Sequence, residues 1–132
     1  MDGFEIIKPA HNRDARGWNI HPIDYALLEA GGVDNIHIVS MEPGAMRGNH
    51  LHRRQTEHVF IIGGPCLVAA KNPETGEEFS IVVEQDDLHI FRASPGIAHV
   101  FKNVSGRTVY ALCHSDLRFD PGNVDMEPFA VI

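Results

Sequence analysis

Three histidines and one glutamate stand at spacings that could hold a metal ion. His50 and His52 lie two positions apart, Glu57 follows in the same stretch, and His99 comes later in the chain. Side chains at positions i and i+2 of a β-strand point to the same face, so the first two imidazoles can act together. A carboxylate and a third imidazole from neighbouring strands would complete a set of four donors. These donors suit Mn, Fe, Co, Ni, Cu or Zn better than Ca or Mg, so the spacing predicts one divalent transition-metal ion.

The segments around these donors have the pattern of short strands separated by turns. Residues 33–41 alternate apolar and polar side chains and end at the turn residues Glu42-Pro43-Gly44. The only helix candidate is Asp24–Glu29, which ends before Gly31-Gly32. Strands at such short spacing favour an all-β sandwich or barrel, and 132 residues allow one domain with one core. The predicted strands are Val33–Met41, Glu57–Ile62, Cys66–Lys71, Glu77–Glu84, Leu88–Arg92, Ala98–Val104 and Arg107–His114.

Alternation within the strands predicts which side chains share a face. Along strand 57–62, the expected interior residues are Glu57, Val59 and Ile61, and the expected outer residues are Phe60 and Ile62. A second expected interior set is His99, Phe101 and Asn103. Tyr110, Leu112 and His114 share one face of the last strand. If that face points inward, Tyr110 and His114 can reach a substrate as catalytic acid or base.

Residues 44–64 resemble a motif of a known family. They fit the first cupin motif, G(X)5HXH(X)3–4E(X)6G, at every fixed position, and Pro95-Gly96 with His99 and Asn103 meets part of the second motif. Cupins are small β-barrels whose open mouth holds a metal. The resemblance implies a single cupin domain over 1–132, a double-stranded β-helix or jelly-roll barrel. Its core would span about 33–115, with an N-terminal strand segment 1–32 and a C-terminal tail 116–132. The implied metal ligands are His50, His52, Glu57 and His99.

Three shorter segments resemble sugar enzymes that share the cupin barrel. Asp14 to Trp18 is similar to the early D-x-R-G segment of deoxysugar-nucleotide epimerases and ketoisomerases, and Arg47-Gly48-Asn49-His50 is similar to their R-G-x-H stretch. In those enzymes the Arg helps to hold the charged groups of the substrate and the His is the catalytic base. The resemblance therefore implies a binding role for Arg47 and a base role for His50, and Asn103 is a further substrate-binding candidate. Residues 116–125 are similar to the closing segment of cupin domains in surface-polysaccharide biosynthesis proteins.

The two resemblances assign competing roles to His50. The 3,5-epimerases have Gln at the position that matches His52 and need no metal. An imidazole at His52, with Glu57 and His99 present, completes a metal set instead. A metal-bound His50 would not be a free base because its lone pair would be occupied. The sugar resemblance would then describe the substrate class, while the chemistry would be metal-assisted.

The first functional hypothesis is an enzyme, a metal-dependent isomerase or epimerase acting on a sugar or sugar-like small molecule. An ion held by three His and one Glu keeps about two open positions and can act as a Lewis acid on a carbonyl. One alternative is a metal-dependent dioxygenase, which requires a redox-active metal and consumes oxygen. Another is a non-enzymatic cupin that binds a ligand or a metal.

Composition narrows the choice of partners. The net charge of −7 argues against binding to a nucleic-acid backbone, and the longest apolar stretch, Val59 to Ile62, is too short to span a bilayer. No secretory signal is recognisable. Cys66 and Cys113 lack the CxxC spacing, so they are expected to be reduced core residues of a cytoplasmic protein. The alternative is that the two cysteines form one buried pair. A homodimer is expected because small barrels leave edge strands that must be covered.

Overall fold

Segments of the chain that are rich in β-branched residues, several of them with alternating apolar and polar side chains, form strands. Turn residues separate these strands. The computed structural model describes residues 1–132. Its single helix is α1 (Tyr25–Glu29), where the Asp24 side chain caps the first turn by accepting a hydrogen bond from the Ala26 amide. No helix is long and apolar enough to cross a membrane. The strands are β1 (Phe4–Ile7), β2 (His11–Asp14), β3 (Gly17–Ile20), β4 (Asn35–Met41), β5 (Met46–Leu51), β6 (Glu57–Ile62), β7 (Cys66–Lys71), β8 (Glu78–Val83), β9 (Ile90–Ala93), β10 (Ala98–Asn103), β11 (Val109–Ser115) and β12 (Glu127–Pro128).

Two antiparallel five-stranded sheets share one core. The first sheet has the order β1-β9-β6-β11-β4, the second has the order β12-β5-β10-β7-β8, and β2 and β3 form a separate hairpin. The main core cluster joins residues of both sheets, such as Val59 and Phe91 from the first and Val68 and Phe101 from the second. The chain therefore has the all-β jelly-roll fold of a cupin barrel, as predicted. The homodimer stays a prediction.

Both faces of the first sheet carry buried apolar side chains, one in the main core and the other beneath the β2-β3 hairpin. Val59 and Ile61 lie in the main core, whereas Phe60 lies in a smaller cluster that Trp18 of the hairpin covers from outside. The predicted alternation along β6 is therefore confirmed. The predicted strands are confirmed with small shifts at their ends. The pattern did not delimit β1, β2, β3, β5 or β12, which are either very short or rich in polar residues.

A β-bulge in β5 places His50 opposite His99. In the pairing with β10, His50 lies opposite His99 and Gly48 lies opposite Val100, so Asn49 is the extra residue. Asn49 has a φ of 54° and Gly48 a φ of 106°. The Asn49 side chain accepts a hydrogen bond from the Val131 amide at 2.8 Å. A Cβ at Gly48 would lie 2.6 Å from the His99 carbonyl oxygen, so only glycine permits this approach.

Substituting Gly48 tests whether the bulge aligns the site. Gly48→Ala should lower the free energy of unfolding more than Gly44→Ala, measured by chemical denaturation. Gly44 also has a positive φ of 80° but has open space around it, so its substitution costs only backbone strain of about 1–2 kcal/mol. Gly48→Ala adds a backbone clash worth roughly 1–3 kcal/mol more. Equal losses in the two variants would contradict a role of close approach at Gly48.

Candidate metal centre

The four predicted ligands converge at one end of the barrel. His50 lies on β5, His52 follows that strand, Glu57 begins β6 and His99 lies on β10. Their nitrogen and oxygen donor atoms all lie within 4.8 Å of one another. The ring centroids of His50 and His52 are 4.8 Å apart, and those of His50 and His99 are 5.1 Å apart. The two sheets thus bring together donors that are far apart in the sequence.

The Glu57 carboxylate lies at the centre of this cluster. Its Oε2 atom is 3.0 Å from Nε2 of His99 and 3.3 Å from Nε2 of His52. Burial alone would raise the pKa of this carboxyl, but the contacts with His52 and His99 outweigh it and hold the pKa of Glu57 well below its usual range. Burial likewise acts to lower the pKa of His52, yet the hydrogen bond to Glu57 and its charge raise that pKa overall. The carboxylate therefore stays ionised and attracts a cation.

Backbone carbonyls fix the outward nitrogen of two of the imidazoles. Nδ1 of His52 is 2.5 Å from the Asp125 carbonyl oxygen, and Nδ1 of His99 is 3.1 Å from the Ile97 carbonyl oxygen. A carbonyl only accepts, so each Nδ1 must carry the hydrogen that it donates. In a neutral ring the inward Nε2 then presents a lone pair to the Glu57 carboxylate. Two lone pairs that face an anion repel it unless a proton on one imidazole or a metal ion lies among them. An Nδ1–H bound to a carbonyl is also the usual outer support of a metal-bound histidine.

His50 is held in the protonation state that a ligand needs. Burial, followed by the charges of His99 and His52, lowers the pKa of His50 to about 4. Its ring is therefore neutral at pH 7, with a lone pair free to coordinate. Metal–nitrogen and metal–oxygen distances of about 2.0–2.2 Å place opposite ligands about 4.2 Å apart. The donor atoms of this cluster are close enough for one ion, so the residues fit the metal that the cupin resemblance implies.

A cavity of about 390 Å³ opens beside three of the four donors, His50, Glu57 and His99. Its polar wall includes Arg47, whose guanidinium donates to the Ser40 carbonyl at 3.2 Å through both Nε and Nη2. Arg47 is exposed and lies on the cavity, so the structure brings this predicted binding residue to the site. A second cavity of about 200 Å³ lies on the side of the C-terminal tail. The two cavities share His37, His50, Glu57 and Met126.

Sequence analysis missed two residues beside Glu57. His37 of β4 and Cys113 of β11 lie opposite each other in the strand pairing, and their donor atoms lie within 4.8 Å of a Glu57 oxygen. Burial, with the charge of Glu57, raises the pKa of Cys113 to about 12, so it stays a thiol. Both cysteines of the chain are buried and free, and no disulfide joins them. The position of His37 depends on strand register, which its local sequence does not reveal.

Three predicted residues do not lie at this site. Asn103 is fully buried, and its side chain bonds the carbonyls of Met41 and Arg107 and the amide of Ser105. It holds the turn before β11 and does not line the cavity, so its substrate-binding assignment is corrected on geometric grounds.

The face of β11 that carries Tyr110 and His114 points outward. Tyr110 is 47% exposed, while Ala111 and Cys113 of the same strand lie in the core. His114 stacks on His58 with ring centroids 4.5 Å apart, next to a different cavity of about 700 Å³ near α1. The condition for their catalytic role, an inward-facing side, is therefore not met. The assignment of Tyr110 and His114 to this site is corrected.

Comparison with known proteins identifies the family. The model of the polysaccharide biosynthesis C-terminal domain matches residues 12–126, most of the chain. The chain belongs to this family. A comparison with functionally curated proteins gave no match.

Solved structures show which folds this family member resembles. The capsular polysaccharide assembling protein CapF of Staphylococcus aureus is 20% identical with a TM-score of 0.70, and the match covers 95% of this chain and 33% of CapF, so the chain spans about a third of that protein. A dTDP-6-deoxy-D-glucose-3,5-epimerase of Legionella pneumophila is 18% identical with a TM-score of 0.77, covering 93% of this chain and 71% of the epimerase. A dTDP sugar isomerase of Desulfovibrio desulfuricans is 14% identical with a TM-score of 0.81, covering 96% and 83%. At these identities the likeness shows the fold.

The C-terminal end of this family domain supports the candidate metal centre from outside. The Asp125 carboxylate accepts hydrogen bonds from the backbone amides of Arg53 at 2.9 Å and of Arg54 and Gln55 at 3.0 Å. Burial would raise the pKa of Asp125, but these three bonds lower it overall. The carbonyl of the same residue binds the His52 ring. Asp125 thus fixes both the loop after His52 and the orientation of its imidazole.

Asp125→Ala should weaken metal binding without unfolding the barrel. It leaves three amides of the loop without their acceptor, at a cost of about 1–3 kcal/mol, and loss of such outer support typically lowers metal affinity about 10–100-fold. Calorimetric titration with Zn or Mn would measure the affinity. Glu127→Gln is the matched control, since Glu127 is an acid of the same tail whose ion pair with Arg53 is solvent-exposed and worth little. Unchanged affinity in Asp125→Ala would show that the tail does not support the site.

Proposed function

We propose that this protein is a metal-dependent isomerase or epimerase that acts on a sugar or sugar-like small molecule. One observation carries the metal: Nε2 of His52 and of His99 both face the buried Glu57 carboxylate, while their Nδ1 atoms bind carbonyls. The proposed ligands are His50, His52, Glu57 and His99, and the ion is Mn, Fe, Co, Ni, Cu or Zn. The fold shared with a dTDP sugar isomerase and a sugar epimerase supports the substrate class.

The chain's own residues would bind and orient the substrate. When bound, the ion supplies a Lewis acid that polarises a carbonyl oxygen. The cavity of about 390 Å³ is large enough for one sugar ring. Arg47 lies at its edge with an always-charged guanidinium, which suits the phosphate groups of a nucleotide sugar. The apolar side chains of Val39, Val59 and Phe101, which also line this cavity, would restrict water near the reacting carbons.

Metal binding should stabilise the fold measurably. At a free metal concentration of 100 times Kd, an ion that binds only the folded state adds about 2.7 kcal/mol, which raises Tm by roughly 5–15 °C. A thermal scan with chelator and then with Mn, Fe, Co, Ni or Zn would measure this shift. The increase should fade as pH falls, because protons compete for the ligand imidazoles. His52, whose pKa is raised, should be protonated first, and His50, whose pKa is about 4, last.

Single substitutions assign this shift to the proposed ligands. His52→Ala and His99→Ala should each remove the metal response while leaving a cooperative unfolding transition. His11→Ala, which removes an exposed histidine of β2, should retain it. Wild-type protein that melts identically with chelator and with added metal, and that carries no ion by elemental analysis, would refute the metal centre.

The proposed reaction should exchange a carbon-bound hydrogen with solvent under anaerobic conditions. We expect metal-loaded protein in D2O to incorporate deuterium into dTDP-4-keto-L-rhamnose next to its carbonyl, because isomerisation removes and returns that proton. The Legionella epimerase structure contains this compound, and mass spectrometry would detect the label. Chelated protein is the control. Oxygen consumption without exchange would favour the dioxygenase, and binding without either would favour a non-catalytic cupin.

A further inference from the structure

The proposed reaction needs an acid–base group that is not a metal ligand. In the proposed centre the ring lone pairs of His50, His52 and His99 and the Oε2 atom of Glu57 would be directed at the ion, so the step is assigned to a group outside this set. The following inference rests on the proposed function and names the residue that carries this step.

The barrel cavity offers few other titratable groups. Besides the proposed ligands, its lining contains only three, Arg47, Cys113 and His37. Arg47 cannot release its proton in a protein. Cys113 is 5% exposed and stays a thiol in the apolar core, so it is also unsuited to the step. His37 is the one remaining group in this cavity.

The cavity on the tail side is lined by three further charged groups, Arg118, Asp120 and Asp125. Two of them, Arg118 and Asp125, are unsuited to accept a proton from carbon. Arg118 is a permanent cation. The Asp125 side chain is 4% exposed and both its oxygens accept backbone amides. Asp120 is exposed, and one of its oxygens accepts the Gly122 amide at 2.9 Å. Asp120 also lines only the tail-side cavity, whereas His37 lines both cavities.

His37 has the placement that the step requires. It lies on β4 on the same face as Val39 and Met41, which contact the core, so its side chain lies inside the barrel mouth. Its ring is exposed to solvent, unlike His99. A ring nitrogen lies within 4.8 Å of a Glu57 oxygen. A substrate beside Glu57 would therefore lie within reach of an imidazole that can exchange its proton with water.

We propose that His37 is the catalytic acid–base residue of this site. A ring nitrogen of His37 takes the proton from the carbon next to the substrate carbonyl. The electron pair of that C–H bond forms a C=C bond, and the carbonyl π electrons move to oxygen, giving an enolate. Return of a proton to carbon, from the imidazolium or from water on the other face, restores the carbonyl. No oxidant or reductant is consumed.

His37→Gln tests this role with the metal-loaded protein and dTDP-4-keto-L-rhamnose in D2O. Gln keeps a polar side chain of similar reach but cannot transfer a proton. We expect the rate of deuterium incorporation at saturating substrate to fall roughly 100- to 10,000-fold, while KM, metal content and Tm stay close to those of the wild type. Asp120→Asn, the competing candidate, and His11→Gln, an exposed histidine outside both cavities, should keep the wild-type rate.

The outcomes separate this inference from the proposed function. Wild-type protein that contains metal but shows no exchange would overturn the proposed function and the role of His37 with it. Normal exchange in His37→Gln, or a loss in Asp120→Asn alone, would overturn only the assignment of His37. Loss of metal from His37→Gln would also overturn it, because His37 would then support the ion rather than transfer protons.

Discussion

The buried Glu57 carboxylate is the constraint on which the mouth of the barrel depends. An ionised carboxylate in an apolar interior is strongly destabilising unless it is paired and hydrogen-bonded. Glu57 lies between Nε2 of His52 and Nε2 of His99, and these groups keep it ionised. A proton on one imidazole or a metal ion among the donors satisfies the same charge. The buried carboxylate thus requires a positive charge beside it, and the surrounding groups determine whether a proton or a metal ion supplies that charge.

Two backbone features orient the imidazoles around this carboxylate. The bulge at Gly48 and Asn49 brings His50 opposite His99, and the Asp125 carbonyl turns the His52 ring inward. The bulge lies in β5 of the second sheet, and the carbonyl belongs to the C-terminal tail. Neither contributes a donor of its own, yet each determines the direction of one. Stability and metal binding would therefore be coupled, because the residue whose hydrogen bonds hold the tail, Asp125, also orients the proposed ligand His52.

The sequence predicted most of the strands and the four converging donors because strand ends and three of the donors follow from local spacing, and the partial second motif supplied His99. The turn residues mark strand ends, and the first cupin motif carries three of the donors within a few residues. The facing of β11 was not predictable in this way. This strand lies between β6 and the edge strand β4 and carries apolar residues on both faces, since Trp18 and its hairpin cover the outer side. The sequence of β11 therefore gave no clear sign of whether Tyr110 and His114 face inward. Asn103 matched a motif position, but in this chain its side chain bonds the backbone of the turn before β11.

His37 was missed for a related reason. Its strand β4 lies at the sheet edge and exposes Ile36 and Ile38 on its outer face, so alternation marks no inward side. Only pairing with Cys113 places the ring beside Glu57. The sequence resemblance to the 3,5-epimerases suggests why His37 would be needed. In those enzymes Gln matches His52 and the residue matching His50 is the base. An imidazole at His52, with a carbonyl to accept its outer N–H, adds a fourth donor to the set. An ion held by that set would occupy the lone pair of His50. If His50 is a ligand, proton transfer falls to another side chain of the barrel mouth, and His37 is the titratable residue outside the proposed ligand set that lines both cavities.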